Sequence, residues 1–182
     1  MRITGGVARG LRLEVPSGLR VRPTSDRVRS ALFQILAQEL PESAVLDLFA
    51  GTGALGIEAL SRGAARVDFV ERDSRLCSAI ERNIEKAGFA DRGHVHRALV
   101  EQALTFLEGP YHLVLLDPPY ELSGVERIME ALNRPGLLGK DGLVVMEHSS
   151  RGDAAERYGM LIREDHRRYG DTALSMYRMQ ET

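Results

Sequence analysis

Ala44-Val45-Leu46-Asp47-Leu48-Phe49 is a short apolar run that leads almost directly into Gly51-Thr52-Gly53-Ala54-Leu55-Gly56. A helical stretch through about Arg62 follows and stops at Gly63. A run of that length, bounded by turn residues, reads as a buried strand. Strand, glycine-rich turn and helix in that order make a βα unit of the kind that binds nucleotides. Such a strand belongs inside a parallel sheet with helices over both faces. The rest of the chain repeats the alternation. Arg66–Glu71 reads as a second strand with an acid at its last position. Leu76, Ile80 and Ile84 then line one helical face, and Gly88 is its expected C-cap. His94–Leu99 is expected as a third strand, Val100–Leu107 as a short helix, Tyr111–Leu116 as a fourth strand and Gly142–Glu147 as a fifth, after a helix and loop over Ile128–Leu132 and Leu137-Leu138. Met160–Arg168 and Thr172–Met179 alternate differently and predict an antiparallel hairpin turned at Tyr169-Gly170-Asp171. The expected fold is α/β, mostly parallel, with helices on both faces.

The fourth strand ends in Asp117-Pro118-Pro119-Tyr120. Proline has no N–H, fixes its own φ and holds the preceding residue extended. Pairing therefore ends at Asp117 and a rigid turn follows. In an open α/β sheet, ligands bind beyond the carboxyl ends of the strands. The turn places a carboxylate, backbone carbonyls and an aromatic ring at that edge. By itself it is equally an ordinary strand-to-loop turn.

The N-terminal stretch carries a second signal. Residues 1–30 hold Arg2, Arg9, Arg12, Arg20, Arg22, Arg27 and Arg29 against only Glu14 and Asp26, a net +5 in a chain whose total is −2. Arginine makes forked phosphate contacts and stacks on bases, so a basic arm on an acidic body points to nucleic acid. Gly5-Gly6 and Gly10 break this stretch into a small hairpin of Arg2–Thr4 with Leu11–Val15. Thr24-Ser25-Asp26 offers N-cap residues for a helix running to about Leu40 with Val28, Leu32, Ile35 and Leu36 on its apolar stripe; Arg27 and Arg29 are expected to face outward. Residues 1–24 are read as a basic arm and 25–182 as the main domain. The hydrophobic share of 43% with 27% charged residues is that of an ordinary globular chain. No apolar run reaches membrane-span length and no signal-peptide core is visible, so the expected setting is cytoplasmic. The single cysteine, Cys77, excludes an internal disulfide and reads as a buried structural thiol. No metal is expected, since His94, His96, His112, His148 and His166 lack ligand-like spacing.

Gly51, Gly53 and Gly56 satisfy G-x-G-x-x-G, with Glu71 twenty residues after Gly51. Glycines let backbone approach a ligand, and an acid ending the second strand accepts hydrogen bonds from ribose hydroxyls. This pattern alone does not separate a dehydrogenase from a methyltransferase. Two residues lean away from NAD. Asp47, just before the loop, suits the amino group of an amino-acid-bearing cofactor and would repel a pyrophosphate. Asp-Pro-Pro-Tyr has no role in hydride transfer.

Asp47–Gly56 together with Asp117–Tyr120 resembles a class I S-adenosylmethionine-dependent methyltransferase acting on exocyclic amino groups of bases. More narrowly, the chain is similar to the RsmD family of bacterial 16S ribosomal RNA guanine-N2 methyltransferases. That likeness rests on Arg2-Ile3 with Gly5-Gly6 and Gly10, Arg22-Pro23-Thr24, Asp26-Arg27-Val28-Arg29, Glu58-Ala59-Leu60-Ser61-Arg62-Gly63-Ala64 and Tyr169-Gly170-Asp171-Thr172. The resemblance implies a Rossmann-like, seven-stranded sheet ending in the antiparallel hairpin. It implies S-adenosyl-L-methionine as cofactor, held by Asp47, Phe49, Ala50, Gly51, Thr52, Gly53, Gly56 and Glu71. It implies catalysis at Asp117, Pro118, Pro119 and Tyr120, on a base flipped out of 16S rRNA within a partly assembled small subunit. One departure stands out. Where many relatives carry an Asp or Asn toward adenine, this chain reads Ala98-Leu99-Val100-Glu101-Gln102; backbone amides, Glu101 or Gln102 are the alternatives, with Arg72 a further unassigned contact. Glu147, ending the fifth strand, reads either as a site residue or as a structural acid. Adenine-N6 methylation of RNA or DNA, and a non-catalytic ribosome assembly factor with the same fold, remain open alternatives.

Overall fold

A computed structural model of the chain describes residues 1–19 and 24–180. Its organising strand is β1 (Ala44–Leu48), buried at every position. Side chains alternate across a strand. Val45 therefore joins the core on one face of the sheet, while Leu46 and Leu48 join the core on the other. The remaining strands are β2 (Arg66–Glu71), β3 (Gly93–Arg97), β4 (Tyr111–Leu116), β5 (Leu138–Ser149), β6 (Arg157–Tyr158), β7 (Leu161–Tyr169) and β8 (Thr172–Met179). They lie in the order β3-β2-β1-β4-β5-β8-β7-β6. The first five pair in parallel; β8 runs antiparallel to both β5 and β7. Among the described residues the sheet thus has eight strands rather than the seven expected. The extra one, β6, is two residues pairing Arg157 with Ile162 and Tyr158 with Leu161, too short to leave a period in the sequence. The order of strand addition reverses between the parallel neighbours β1 and β4, stepping outward through β2 and β3 on one side and β5 on the other, which opens the crevice where such sheets bind ligands.

Helices α1 (Asp26–Ile35), α2 (Ala54–Ser61) and α3 (Ser74–Ala87) cover one face. Helices α4 (Val100–Phe106) and α5 (Val125–Ala131) cover the other. The Ser25 side chain caps α1 by accepting from the Val28 amide at 3.2 Å. The Asp73 carboxylate caps α3 through the amides of Arg75 and Leu76, and Gly88 closes it in the left-handed region at φ 82°. α1 ends at Ile35, short of the expected Leu40, and a 3-10 turn over Leu36–Gln38 replaces its last part.

The N-terminal hairpin is present, reduced to one antiparallel bridge between Arg2 and Arg12. It is docked, because Ile3 and Leu13 belong to the same core as α1, α2 and α3. The Glu58 carboxylate on α2 accepts from the amides of Thr4 and Gly5 and from the Thr4 hydroxyl, at 2.7 to 3.1 Å. Asn83 on α3 accepts from the Glu14 amide at 2.7 Å. Arg29 corrects the outward-facing expectation: it is completely buried. Its Nε lies 3.4 Å from Glu58, its guanidinium bonds Asp26 at 2.9 Å, and it also donates to the Arg2 carbonyl. Arg29 is therefore removed from the set of RNA contacts. Arg27, two residues earlier, is exposed as expected.

Candidate active site

The loop after β1 is shaped by residues below it as much as by its glycines. Phe49 sits at φ 58°, a conformation rare for a bulky residue and a mark of functional sites. Gly53 caps α2 at φ 81°, where a Cβ would be strained. Gly56 is needed for another reason, since a Cβ there would lie 2.3 Å from the Phe69 ring on β2. Asp47 accepts from the Gly56 amide at 2.9 Å and is almost fully buried. Its other oxygen, Oδ1, has no hydrogen-bond partner among the described residues. Burial pushes its pKa up to about 7; the Gly56 amide opposes the shift and the Glu71 charge adds to it.

Glu71, at the end of β2, accepts from the Gly51 amide at 3.0 Å and from the Asp73 amide at 2.9 Å. It therefore holds two loops together before any ligand is considered. Each carboxylate oxygen still offers a second lone pair. Beneath it the Cys77 thiol donates to the Glu71 carbonyl at 3.2 Å, and burial pushes that thiol up to about 11. A thiol in that state is structural rather than nucleophilic.

Two cavities meet along the Asp-Pro-Pro-Tyr turn. The larger, about 730 Å³, is lined by Phe49–Thr52, Glu71, Leu76, Leu99 and Asp117, among others. The smaller, about 370 Å³, lies beyond Pro119 and Tyr120, against Val125, Met146, Glu147 and His148. Pro118, Pro119 and Tyr120 line both, so the turn is the ridge between them. Asp117 is half-buried, Pro118 buried and Tyr120 exposed, with its hydroxyl 3.1 Å from the Thr172 hydroxyl on β8.

Of the sequence-derived cofactor set, Phe49, Ala50, Gly51, Thr52 and Glu71 line the larger cavity. Asp47, Gly53 and Gly56 do not; they lie beneath the loop and shape it. Around the unassigned adenine position the cavity wall is Arg72, Ala98, Leu99, Val100 and Glu101, and Gln102 is absent from it. Sequence reasoning missed Thr24 and Met1. Thr24 hydrogen-bonds two carboxylates at the ridge, and the Met1 sulfur lies 3.4 Å from the Thr52 hydroxyl. Neither carries a local motif of chemistry, and only long-range packing brings them there. Arg2, Arg9 and Arg12 are exposed on the hairpin; Arg20 and Arg22 lie outside the described residues. Among the described residues no group of three or more His, Cys, Asp or Glu is placed to hold a metal ion. No helix there is long and apolar enough to cross a membrane.

A mostly parallel sheet of this order, a glycine loop at its switch point, an acid ending β2 and an Asp-Pro-Pro-Tyr ridge define a Rossmann-like fold of the class I methyltransferase type. A solved structure described as "Putative methyltransferase yhhF" from Escherichia coli superposes over 100% of this chain and 99% of its own, with TM-score 0.89 and 32% identity. The chain belongs to the family described as Conserved hypothetical protein 95, the RsmD family, whose model matches residues 1–178. "Ribosomal RNA small subunit methyltransferase D" of E. coli is 38% identical over 81% of this chain and 74% of its own length. "Putative rRNA methyltransferase YlbH" of Bacillus subtilis is 32% identical over 98% of both.

Proposed function

We propose that this chain transfers a methyl group from S-adenosylmethionine to the exocyclic N2 amino group of a guanine in small-subunit ribosomal RNA. The observation that carries this reading is the ridge itself, with Asp117 between a cavity built around the glycine loop and Glu71 and a second cavity beyond Tyr120. The residues fit the cofactor. The orphaned Asp47 Oδ1 suits a cationic group, Glu71 suits ribose hydroxyls, and a volume of about 730 Å³ is in the range of cofactor sites. When bound, the cofactor supplies an already activated methyl group on a sulfonium. Asp117 and the Pro118 carbonyl accept the two amino hydrogens. That favours a pyramidal nitrogen whose lone pair is released from the ring, and Tyr120 stacks on a base taken out of its helix. Catalysis is then largely positioning. The relatives named for ribosomal RNA supply the substrate class, and exposed Arg2, Arg9, Arg12 and Arg27 supply phosphate contacts.

The same tetrapeptide also accommodates an adenine amino group, so the base must be read directly. Purified protein is given methyl-labelled cofactor with free rRNA, naked DNA or undermethylated small subunits, and the product is digested to nucleosides. N2-methylguanosine from rRNA or subunits is expected. Label on adenine overturns the base assignment, and cofactor binding without transfer overturns the enzymatic reading.

Two further results follow from the same reading. An acid with a raised pKa is neutral below it, so Asp47 is mostly protonated below about pH 7 in the free protein. A cation above Oδ1 favours the ionised form. Cofactor affinity should therefore strengthen as pH rises from 5.5 to 8, with proton release on binding below pH 7. Titration calorimetry in buffers of different ionisation enthalpy measures that release, and Asp47→Asn should flatten the profile. Neutralising Arg9, Arg12 and Arg27 together should weaken RNA binding and lower the slope of log K against log salt by about 2 to 3, as expected for phosphate contacts. An unchanged slope removes these side chains from the interface.

A further inference from the structure

Glu147, near the end of β5, lies beside Asp117 at the carboxyl edge of the sheet. The register pairs Leu115 with Val145 and Leu116 with Met146, which makes Asp117 and Glu147 the next neighbours across two adjacent strands. Side chains of alternate residues share a face. Leu115 and Val145 lie in the core under α1, so Asp117 and Glu147 emerge on that same side, at the carboxyl edge. One hydroxyl joins them: Thr24 Oγ1 lies 2.9 Å from Glu147 Oε2 and 3.4 Å from Asp117 Oδ2. A hydroxyl has one proton to donate, so the shorter contact, to Glu147, is the one it serves. Glu147 is buried, 6% exposed, and lines the smaller cavity, while Asp117 lines the larger. The two carboxylates are therefore neighbours at the head of the Pro118-Pro119-Tyr120 ridge, where the two cavities meet.

We infer that Glu147 is a specificity-determining residue that accepts the guanine N1–H while Asp117 holds the N2 amino group; the inference rests on the guanine reading above. Guanine presents N1–H and N2–H₂ side by side, a row of donors that suits two adjacent carboxylates. Adenine with its amino group at Asp117 presents the N1 lone pair in the neighbouring position, against the Glu147 carboxylate. Cytosine does the same with N3. Burial makes that mismatch costly, because acceptor meets acceptor where water cannot intervene. A carboxylate has about four acceptor positions, so contacts within the protein, the Thr24 hydroxyl among them, are compatible with a further one from the base. Thr24 is a positioning residue in this arrangement, since it fixes the Glu147 carboxylate without reaching the base.

The test compares guanine with 2-aminopurine at the mapped nucleotide, in rRNA ligated to carry either base and assembled into small subunits. 2-Aminopurine keeps the N2 amino group but replaces the N1–H with an acceptor. The wild-type protein should favour guanine by roughly 100-fold or more in kcat/KM, in line with sites built to hydrogen-bond a substrate donor. Glu147→Gln offers an amide that can accept from guanine or donate to 2-aminopurine. It should bring the ratio to within about tenfold while cofactor affinity and the unfolding midpoint stay near wild type. Equal use of both bases by the wild type overturns the inference without any variant. An undiminished ratio in Glu147→Gln also overturns it and leaves Glu147 a structural acid. Label on adenine in natural subunits overturns the guanine reading itself, a separate result.

Discussion

Asp117→Ala is expected to reduce methyl transfer by about 10²–10³-fold in kcat, the scale for losing one preorganised polar contact to the reacting group. Cofactor affinity should stay near wild type. Asp117 lies at the border of the larger cavity, whose proposed cofactor contacts are the Phe49–Thr52 loop and Glu71 on β2; Glu71 is held by the Gly51 and Asp73 amides. The variant should fold normally, because Asp117 is half-buried at the sheet edge and Pro118 and Pro119 still hold the turn. Single-turnover transfer and equilibrium cofactor binding, measured on the same preparation, separate the two effects. A parallel loss of cofactor binding would move Asp117 from the reacting base to the cofactor.

The largest stability effect is expected at Glu58. Its carboxylate is fully buried and gathers the Thr4 and Gly5 amides, the Thr4 hydroxyl, Arg62 at 3.0 Å and the buried Arg29. Glu58→Gln keeps the shape but leaves the Arg29 guanidinium without its buried counter-charge. Asp26 bonds the same guanidinium, yet its side chain is 62% exposed and its charge is shared with water. Removing one member of a buried ion pair costs about 3–5 kcal/mol, which for a chain of this size lowers the unfolding midpoint by roughly 6–20 °C. Replacing both members, as Arg29→Met with Glu58→Leu, should recover part of that loss, since two apolar side chains strand no charge. Calorimetry on the three proteins checks the order. A double variant less stable than Glu58→Gln would mean that the hairpin contacts of Glu58, rather than the pair, carry the stability.

What could be read from the sequence follows the distance over which each feature is determined. The glycine loop, Asp117–Tyr120, Glu71, the Gly88 cap and the turn at Tyr169-Gly170-Asp171 are all set within a few residues, and the structure has each in place. Arg29 defeated the local reading because its partner Glu58 lies on another helix; without that partner an arginine on the buried stripe is implausible. Thr24 gave a cap signal and a place in the Arg22-Pro23-Thr24 signature, but Ser25 is the cap of α1 and Thr24 turns to the carboxylates of Asp117 and Glu147. Asp47 read as a cofactor contact because it precedes the loop. Strand alternation also sends its side chain under the loop, where one oxygen takes the Gly56 amide and Oδ1 is left without a partner among the described residues, a division that spacing alone does not show. Guanine itself has no local signature in the tetrapeptide, which fits any exocyclic amino group.

The position of β8 has a consequence for how the protein is made. It follows β5, β6 and β7 in the sequence, yet it lies between β5 and β7, and Thr172 at its start is a hydrogen-bond partner of Tyr120. While a nascent chain emerges, β1 to β5 can pair as soon as each is exposed. β7 and β6 can reach the sheet only through β8, which leaves the ribosome after both of them. Until then the edge of β5 offers Leu143–Ser149 to any passing strand, and Tyr120 lacks its contact with Thr172. The outer part of the sheet and the Thr172 contact to the ridge are therefore completed only once β8 has emerged.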